Sequence, residues 1–74
     1  MHNRSNEEFL MAFGLNLRTI RKAKNLKQYH VADRCGIHKN NYTNIERGKR
    51  NITIVKAQSI AKALDVPVAE LFAF

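Results

Sequence analysis

The chain has 74 residues, of which 13 are Lys or Arg and 6 are Asp or Glu, so its formal net charge at pH 7 is +7. This length is enough for one small domain, so we predict a single domain over residues 1–74. The strong positive charge favours a polyanionic partner and leaves DNA, RNA and an anionic membrane surface as candidates.

Cysteine usage and hydropathy argue against a disulfide-bonded protein, a CxxC metal site and a membrane-spanning protein. The single cysteine, Cys35, rules out an internal disulfide and supplies no CxxC metal pair, so we interpret it as a small buried apolar residue. No apolar run approaches the roughly 18 residues that span a bilayer, and the first residues lack the apolar core of a signal peptide. We therefore expect a cytoplasmic protein that uses no metal and no cofactor and contacts no membrane.

The first predicted helix starts at a capping box. Ser5 can accept a hydrogen bond from the amide of Glu8, and the Glu8 side chain can accept one in return. Positions three and four residues apart then share one helical face: Phe9, Phe13, Leu17, Ile20 and Lys24. Gly14 lies inside this pattern and predicts a weakness of about 1 kcal/mol or a bend.

The segment from residue 28 to residue 48 is typical of two short helices joined by a tight turn. Gly36 stands where the first of them must stop, since glycine takes a positive φ without steric cost. The inward positions are mostly apolar: Val31, Ala32, Cys35, Ile37, Tyr42 and Ile45. The outer face of the second helix carries four polar residues and no acid: Lys39, Asn40, Thr43 and Asn44. This pattern predicts a helix-turn-helix over about residues 28–47 whose second helix can read base edges.

Two more helices are predicted after this motif. Thr53 can cap a fourth helix that runs to about Leu64, the pattern breaks at Pro67, and a last short helix is expected from Val68 to Phe72. No alternation of apolar and polar residues predicts a strand. The predicted fold is therefore an all-α, compact five-helix domain.

Other functions fit the residues less well. An enzyme needs a nucleophile–base pair, a carboxylate dyad or metal ligands, and none stands at a workable spacing, so we predict no catalytic residue. A protein-binding adaptor is the stronger alternative, but protein interfaces are depleted in lysine at their centres. RNA suits the charge, whereas a recognition helix suits the wide major groove of B-DNA.

Four segments resemble the Xre/Cro family of lambda-repressor-like helix-turn-helix proteins: IRKAKNLKQ, VADRCGI, NIERGKRN and IAKALDVPVAELF. The resemblance implies that Gln28 contacts a DNA phosphate and braces the recognition helix. It also implies an Arg21–Glu46 ion pair between the first and third helices. Lys27 and His38 depart from the family pattern, because Ser, Thr or Asp usually stands at those helix starts, so both caps should be weaker or made differently.

The DNA contacts that this resemblance implies form two sets. The base-reading set is Lys39, Asn40, Thr43 and Asn44. Lysine favours guanine and asparagine can pair with adenine, while Thr43 is left open between a thymine methyl group and a phosphate. The phosphate set consists of cations and amides around the recognition helix: Gln28, Arg18, Lys27, Arg47, Lys49, Arg50 and Asn51.

Short members of this family that end in a segment like VAELF resemble the controller proteins of restriction–modification systems, and phage repressors and antitoxin regulators are nearly as close. We expect a homodimer on a roughly palindromic double-stranded DNA operator, because one such domain reads only a few base pairs. RNA polymerase is a further candidate partner. The predicted dimer face spans about residues 54–74: Val55, Val66, Val68, Leu71, Phe72 and Phe74.

Overall fold

The computed structural model describes residues 5–74, in which five helical segments follow one another and no strand occurs. They are α1 (Asn6–Ala23), α2 (Gln28–Arg34), α3 (Lys39–Glu46), α4 (Ile54–Leu64) and a 3₁₀ helix (Val68–Phe72). The all-helical prediction is confirmed with one correction, because the fifth predicted helix is a 3₁₀ helix and the α-helices number four. A five-residue segment this short is typical of 3₁₀ geometry. Among residues 5–74 no helix combines the length and apolarity needed to cross a bilayer.

The helix starts and stops follow local signals. The Ser5 hydroxyl accepts from the Glu8 amide at 3.1 Å, and the Ser5 amide donates to the Glu8 carboxylate at 3.1 Å, which completes the predicted capping box. The Thr53 hydroxyl likewise accepts from the Lys56 amide at 3.0 Å at the start of α4. Just beyond α1, Asn25 has φ 58°, the left-handed conformation that commonly ends a helix.

All five helical segments contribute to the hydrophobic core. Its buried members are Phe13, Leu17, Val31, Ala32, Ile37, Tyr42, Ile45, Ala57, Ile60, Ala61, Ala63, Leu64 and Leu71. Helix α3 packs on α1 and α2, and α2 packs on α4. The helix-turn-helix formed by α2 and α3 is therefore supported by α4 at its first helix and by α1 at its second. Because each fully buried Leu or Ile contributes about 1.5–3 kcal/mol, this packing fixes the position of α3.

Gly14 has a different role from the one that the sequence predicts. Helix α1 continues through it without interruption from Asn6 to Ala23. Gly14 is buried and lies against the main chain at the end of α3. The expected bend is therefore wrong, and the glycine serves a close approach of two helices.

Several apolar side chains lie elsewhere than predicted. The α1 stripe ends at Ile20, because Lys24 is exposed. Leu71, assigned to the dimer face, is 0% exposed and packs in the core of its own chain, so that assignment is corrected. Val66 is partly buried against the same core. By contrast, Ile54 keeps 88% of its surface exposed.

Candidate nucleic-acid interface

Helix α3 presents a polar face outside the core. Lys39 and Asn40 are exposed in its first turn, and Thr43 and Asn44 are half-buried in its second. Its one acid, Glu46, is buried with 7% of its surface exposed, so no carboxylate lies on the outer face. Exposed cations precede and follow this surface in the chain: Arg18, Lys27, Arg47, Lys49 and Arg50. The face is therefore polar and electropositive, as contact with a polyanion requires.

Imidazole groups cap both helices of the helix-turn-helix. At the start of α3, His38 Nδ1 accepts a hydrogen bond from the Asn40 amide at 3.2 Å. At the start of α2, His30 Nδ1 accepts from the Lys27 amide at 3.2 Å, while the Lys27 side chain makes no capping bond. Gly36 takes φ +68° between the two helices. At α3 a histidine acceptor thus replaces the usual Ser, Thr or Asp cap, whereas at α2 His30 supplies only the reciprocal bond of a capping box.

A buried ion pair joins α1 to the end of α3. Arg21 Nε donates to Glu46 Oε2 at 2.6 Å, and Arg21 Nη2 donates to Glu46 Oε1 at 3.1 Å. Arg21 Nη1 also donates to the Leu26 carbonyl at 2.8 Å, which ties in the start of the next segment. The two side chains are 9% and 2% exposed. Because the guanidinium binds both oxygens of one carboxylate, the pair fixes the relative orientation of the two side chains as well as joining opposite charges.

Each member of this ion pair stabilises the charged form of the other. Burial disfavours the ionised form of Glu46, but the hydrogen bonds from Arg21 and Gln28 outweigh it and hold the pKa of the carboxyl below its ordinary value. The hydrogen bond with Glu46 raises the pKa of Arg21. Both groups are therefore charged at neutral pH.

Gln28 connects this ion pair to the outer face of α3. Its Nε2 donates to Glu46 Oε1 at 3.0 Å, and its Oε1 accepts from the Thr43 hydroxyl at 2.9 Å. The family resemblance implies a bracing role for Gln28 but does not identify Thr43 as its partner. The two residues are 15 positions apart on different helices, and helical periodicity carries no signal about such a pair.

Tyr42 lies behind the polar face and belongs to the core. Its side chain is 0% exposed, so stacking on a base is excluded in this conformation. Its hydroxyl makes no hydrogen bond of good geometry with any residue of the described range 5–74, but it lies close enough to the Glu46 carboxylate to interact with it and to help to lower the pKa of Glu46. Burial is the main reason that the pKa of Tyr42 is raised. The interpretation of this residue as core agrees with its burial.

The structure places six of the seven predicted phosphate residues in two groups, and the seventh, Lys27, is exposed at the start of α2. One group lines a groove beside α3, with Arg18, Gln28 and Arg47 around Thr43. The other follows α3 in an exposed loop, with Lys49, Arg50 and Asn51. Within that loop Asn51 Oδ1 accepts from the Ile52 amide at 2.9 Å, so this oxygen is already used locally.

Comparison with known proteins agrees with this geometry. Residues 17–71 match the helix-turn-helix family HTH_3. The chain belongs to this family. It is a helix-turn-helix transcriptional regulator, and the predicted Xre-type resemblance is confirmed.

Its relatives include control proteins. The chain is 37% identical over 65 residues to the control protein C.BamHI of Bacillus amyloliquefaciens, which covers 86% of this chain and 80% of the relative. It is 36% identical over 61 residues to the control protein C.MunI of a Mycoplasma species, covering 81% and 82%. The crystal structure of the restriction–modification controller protein C.AhdI from Aeromonas hydrophila superposes with a TM-score of 0.83 at 40% identity, covering 85% of this chain and 96% of that one.

Proposed function

We propose that this regulator is a restriction–modification controller that acts in the cytoplasm as a homodimer on a palindromic operator. The observation that carries the proposal is the acid-free polar face of α3, which exposed cations flank and a buried ion pair braces. The similarity to C.BamHI, C.MunI and C.AhdI supports the controller role. A controller that activates its promoter would also contact RNA polymerase.

In this proposal the first turn of α3 reads most of the sequence. Lys39 is exposed and can donate to guanine O6 and N7. Asn40 is exposed beside it and can pair in bidentate fashion with adenine N6 and N7. Asn44 lies one turn after Asn40 on the same face, and Thr43 between them completes the base-reading set. Each good bidentate contact discriminates by about 1–3 kcal/mol against the wrong base.

Phosphate contacts on both sides of α3 would set its register on the duplex. Arg18 and Arg47 supply charge from the groove, and Gln28 Nε2 keeps a second N–H beyond the one given to Glu46. Four further residues complete the set: Lys27, Lys49, Arg50 and Asn51. With about six phosphates neutralised, affinity should fall roughly 10³-fold between about 50 and 200 mM salt.

The proposed dimer face lies on α4 and the 3₁₀ helix. Its exposed apolar side chains are Ile54 at 88%, Val55 at 71%, Phe72 at 45%, Phe74 at 44% and Val68 at 42%. Apolar surface on this scale on so small a chain is typical of a subunit contact. Two copies on a palindrome would place their recognition helices about 34 Å apart.

Selection of duplexes from a random pool tests the proposal. The wild-type protein should enrich a palindromic sequence, and Asn40→Ala should lose preference at one position of each half-site. Asn6→Ala removes an exposed carboxamide from the first turn of α1 and should leave the preference unchanged. Equal retention of all duplexes, or binding to DNA that does not weaken with salt, would favour a protein-binding adaptor instead.

A further inference from the structure

Thr43 lies in the middle of the polar face of α3, yet its hydroxyl group is bonded within the protein. Its Oγ1 donates to Gln28 Oε1 at 2.9 Å. The side chain is half-buried and lines the same groove as Arg18 and Arg47. A hydroxyl group has a single hydrogen to donate, so this hydrogen is not available to a base or a phosphate.

The partner of this hydroxyl is itself fixed. Gln28 Nε2 donates to Glu46 Oε1 at 3.0 Å, and an ionised carboxylate only accepts hydrogen bonds. The amide nitrogen of Gln28 must therefore face Glu46, and its oxygen must face Thr43. Glu46 is held in turn by two hydrogen bonds from Arg21. Turning the Thr43 hydroxyl towards DNA would remove a donor from a half-buried carbonyl oxygen, which costs free energy.

The bonded hydroxyl limits what Thr43 can offer to a base edge. The groups of Thr43 that remain available to a base are its methyl group and the lone pairs of its hydroxyl oxygen. Guanine presents only acceptors in the major groove, and a hydroxyl without a free hydrogen cannot satisfy them. Thymine presents a C5-methyl group, which an apolar contact recognises.

We infer that Thr43 reads the C5-methyl group of a thymine through its own methyl group, and that Gln28 is the positioning residue that turns the side chain to do so. The inference rests on the proposed function, because it requires α3 in the major groove. It gives Thr43 an apolar role within an otherwise polar recognition surface. It also couples base reading to the buried pair of Arg21 and Glu46 through one glutamine.

The test deletes the methyl group from the thymine of the DNA and, separately, from residue 43 of the protein. Operators selected with the wild-type protein are remade with uracil in place of each thymine of a half-site in turn, which deletes only the C5-methyl group. Thr43→Ser keeps the hydroxyl and deletes the methyl group, whereas Thr43→Val keeps the methyl group and deletes the hydroxyl. Dissociation constants are measured by fluorescence anisotropy at one salt concentration, and thermal unfolding checks that each variant is folded.

At one thymine of each half-site, uracil should weaken binding of the wild type about fourfold, the contribution of one buried methyl group. Thr43→Val should show a similar uracil effect at that position, and Thr43→Ser should bind the thymine and uracil operators equally. Gln28→Ala should reduce the uracil effect, because the hydroxyl is then no longer held. The ratio of the two dissociation constants is the measure, since a general loss of phosphate contact leaves that ratio unchanged.

Three results would overturn the inference. The first is the absence of a uracil effect at every thymine of a sequence-specific operator, and the second is a Thr43→Ser variant that still distinguishes thymine from uracil. The third is a preference for one base pair that Thr43→Val loses and Thr43→Ser keeps, because it would show that the hydroxyl reads the amino group of an adenine or a cytosine as an acceptor. A selection that enriches no sequence would instead overturn the proposed function itself.

Discussion

Gly14 packs directly against the carbonyl oxygen of Glu46, so closely that a Cβ atom added to the glycine would lie 2.3 Å from that oxygen. The same atom would lie 2.6 Å from the carbonyl oxygen of Ile45. Both oxygens belong to the main chain and cannot rotate away as the end of a side chain can. The separation of α1 and α3 therefore depends on the absence of a side chain at one position.

Gly14→Ala should lower the free energy of unfolding by about 1–3 kcal/mol, the usual cost of overpacking a closed contact. In an open helix the same change would raise stability by about 1 kcal/mol, so the sign of the effect is informative. Urea unfolding followed by circular dichroism measures it. Lys22→Ala, an exposed change on α1, should stay within about 0.5 kcal/mol of the wild type. A stabilised Gly14→Ala protein would contradict the close contact.

Glu46 should make the stability of the fold depend on pH. Its pKa in the folded chain is below the ordinary glutamate value of about 4.3, so its stabilising contribution is complete above that value and is lost as pH falls towards the lower folded-state pKa. Glu46→Gln should cost about 3–5 kcal/mol at pH 7, because it leaves the buried charge of Arg21 without its partner.

Urea unfolding between about pH 7 and 3 measures this dependence. The free energy of unfolding should fall less steeply in Glu46→Gln than in the wild type on the acid side. Glu70→Gln makes the same chemical change at an exposed position of the 3₁₀ helix and should keep the wild-type slope. Equal slopes for the wild type and Glu46→Gln would show that Glu46 does not titrate as its surroundings indicate.

Tyr42→Phe should leave the free energy of unfolding unchanged or raise it by up to about 1 kcal/mol. The ring is fully buried, and the hydroxyl makes no hydrogen bond of good geometry among residues 5–74, so its interaction with Glu46 offsets little of the cost of burying it. Thermal and urea unfolding measure the change. Tyr42→Ala should cost about 3–5 kcal/mol, because it removes the buried ring as well. A loss above about 1 kcal/mol in Tyr42→Phe would mean that the hydroxyl is bonded.

Ile54→Glu should dissociate the proposed homodimer while leaving the fold intact, since the side chain is 88% exposed in one chain. Each dimer carries the substitution twice, and losing about 1.5 kcal/mol of apolar burial per copy raises the dissociation constant roughly 100-fold. Sedimentation equilibrium measures it. Met11→Glu is the matched control, because Met11 is 61% exposed on α1 and lies beside Gly48. A wild-type chain that stays monomeric at high micromolar concentration would rule the face out.

Local sequence signals determined much of the fold. The Ser5 capping box, the Thr53 cap and the left-handed Asn25 set helix ends through contacts between residues at most four apart. Helical periodicity separated the buried side chains of α3, such as Tyr42, from its polar outer face. Such features depend on spacing along the chain, and spacing is what a sequence displays.

Apart from the ion pair of Arg21 and Glu46, which the family resemblance implied, contacts between distant residues were decided by the tertiary structure alone. The approach of Gly14 to α3 and the burial of Leu71 depend on where separate helices meet, and a residue's own neighbours in the sequence do not encode that meeting. The bond from Thr43 to Gln28 is of the same kind, because it joins two helices across the turn. The sequence by itself therefore determined which residues form the polar outer face of α3, and the packed fold decided how their side chains are held, since the distances between helices are set only when the whole core packs together.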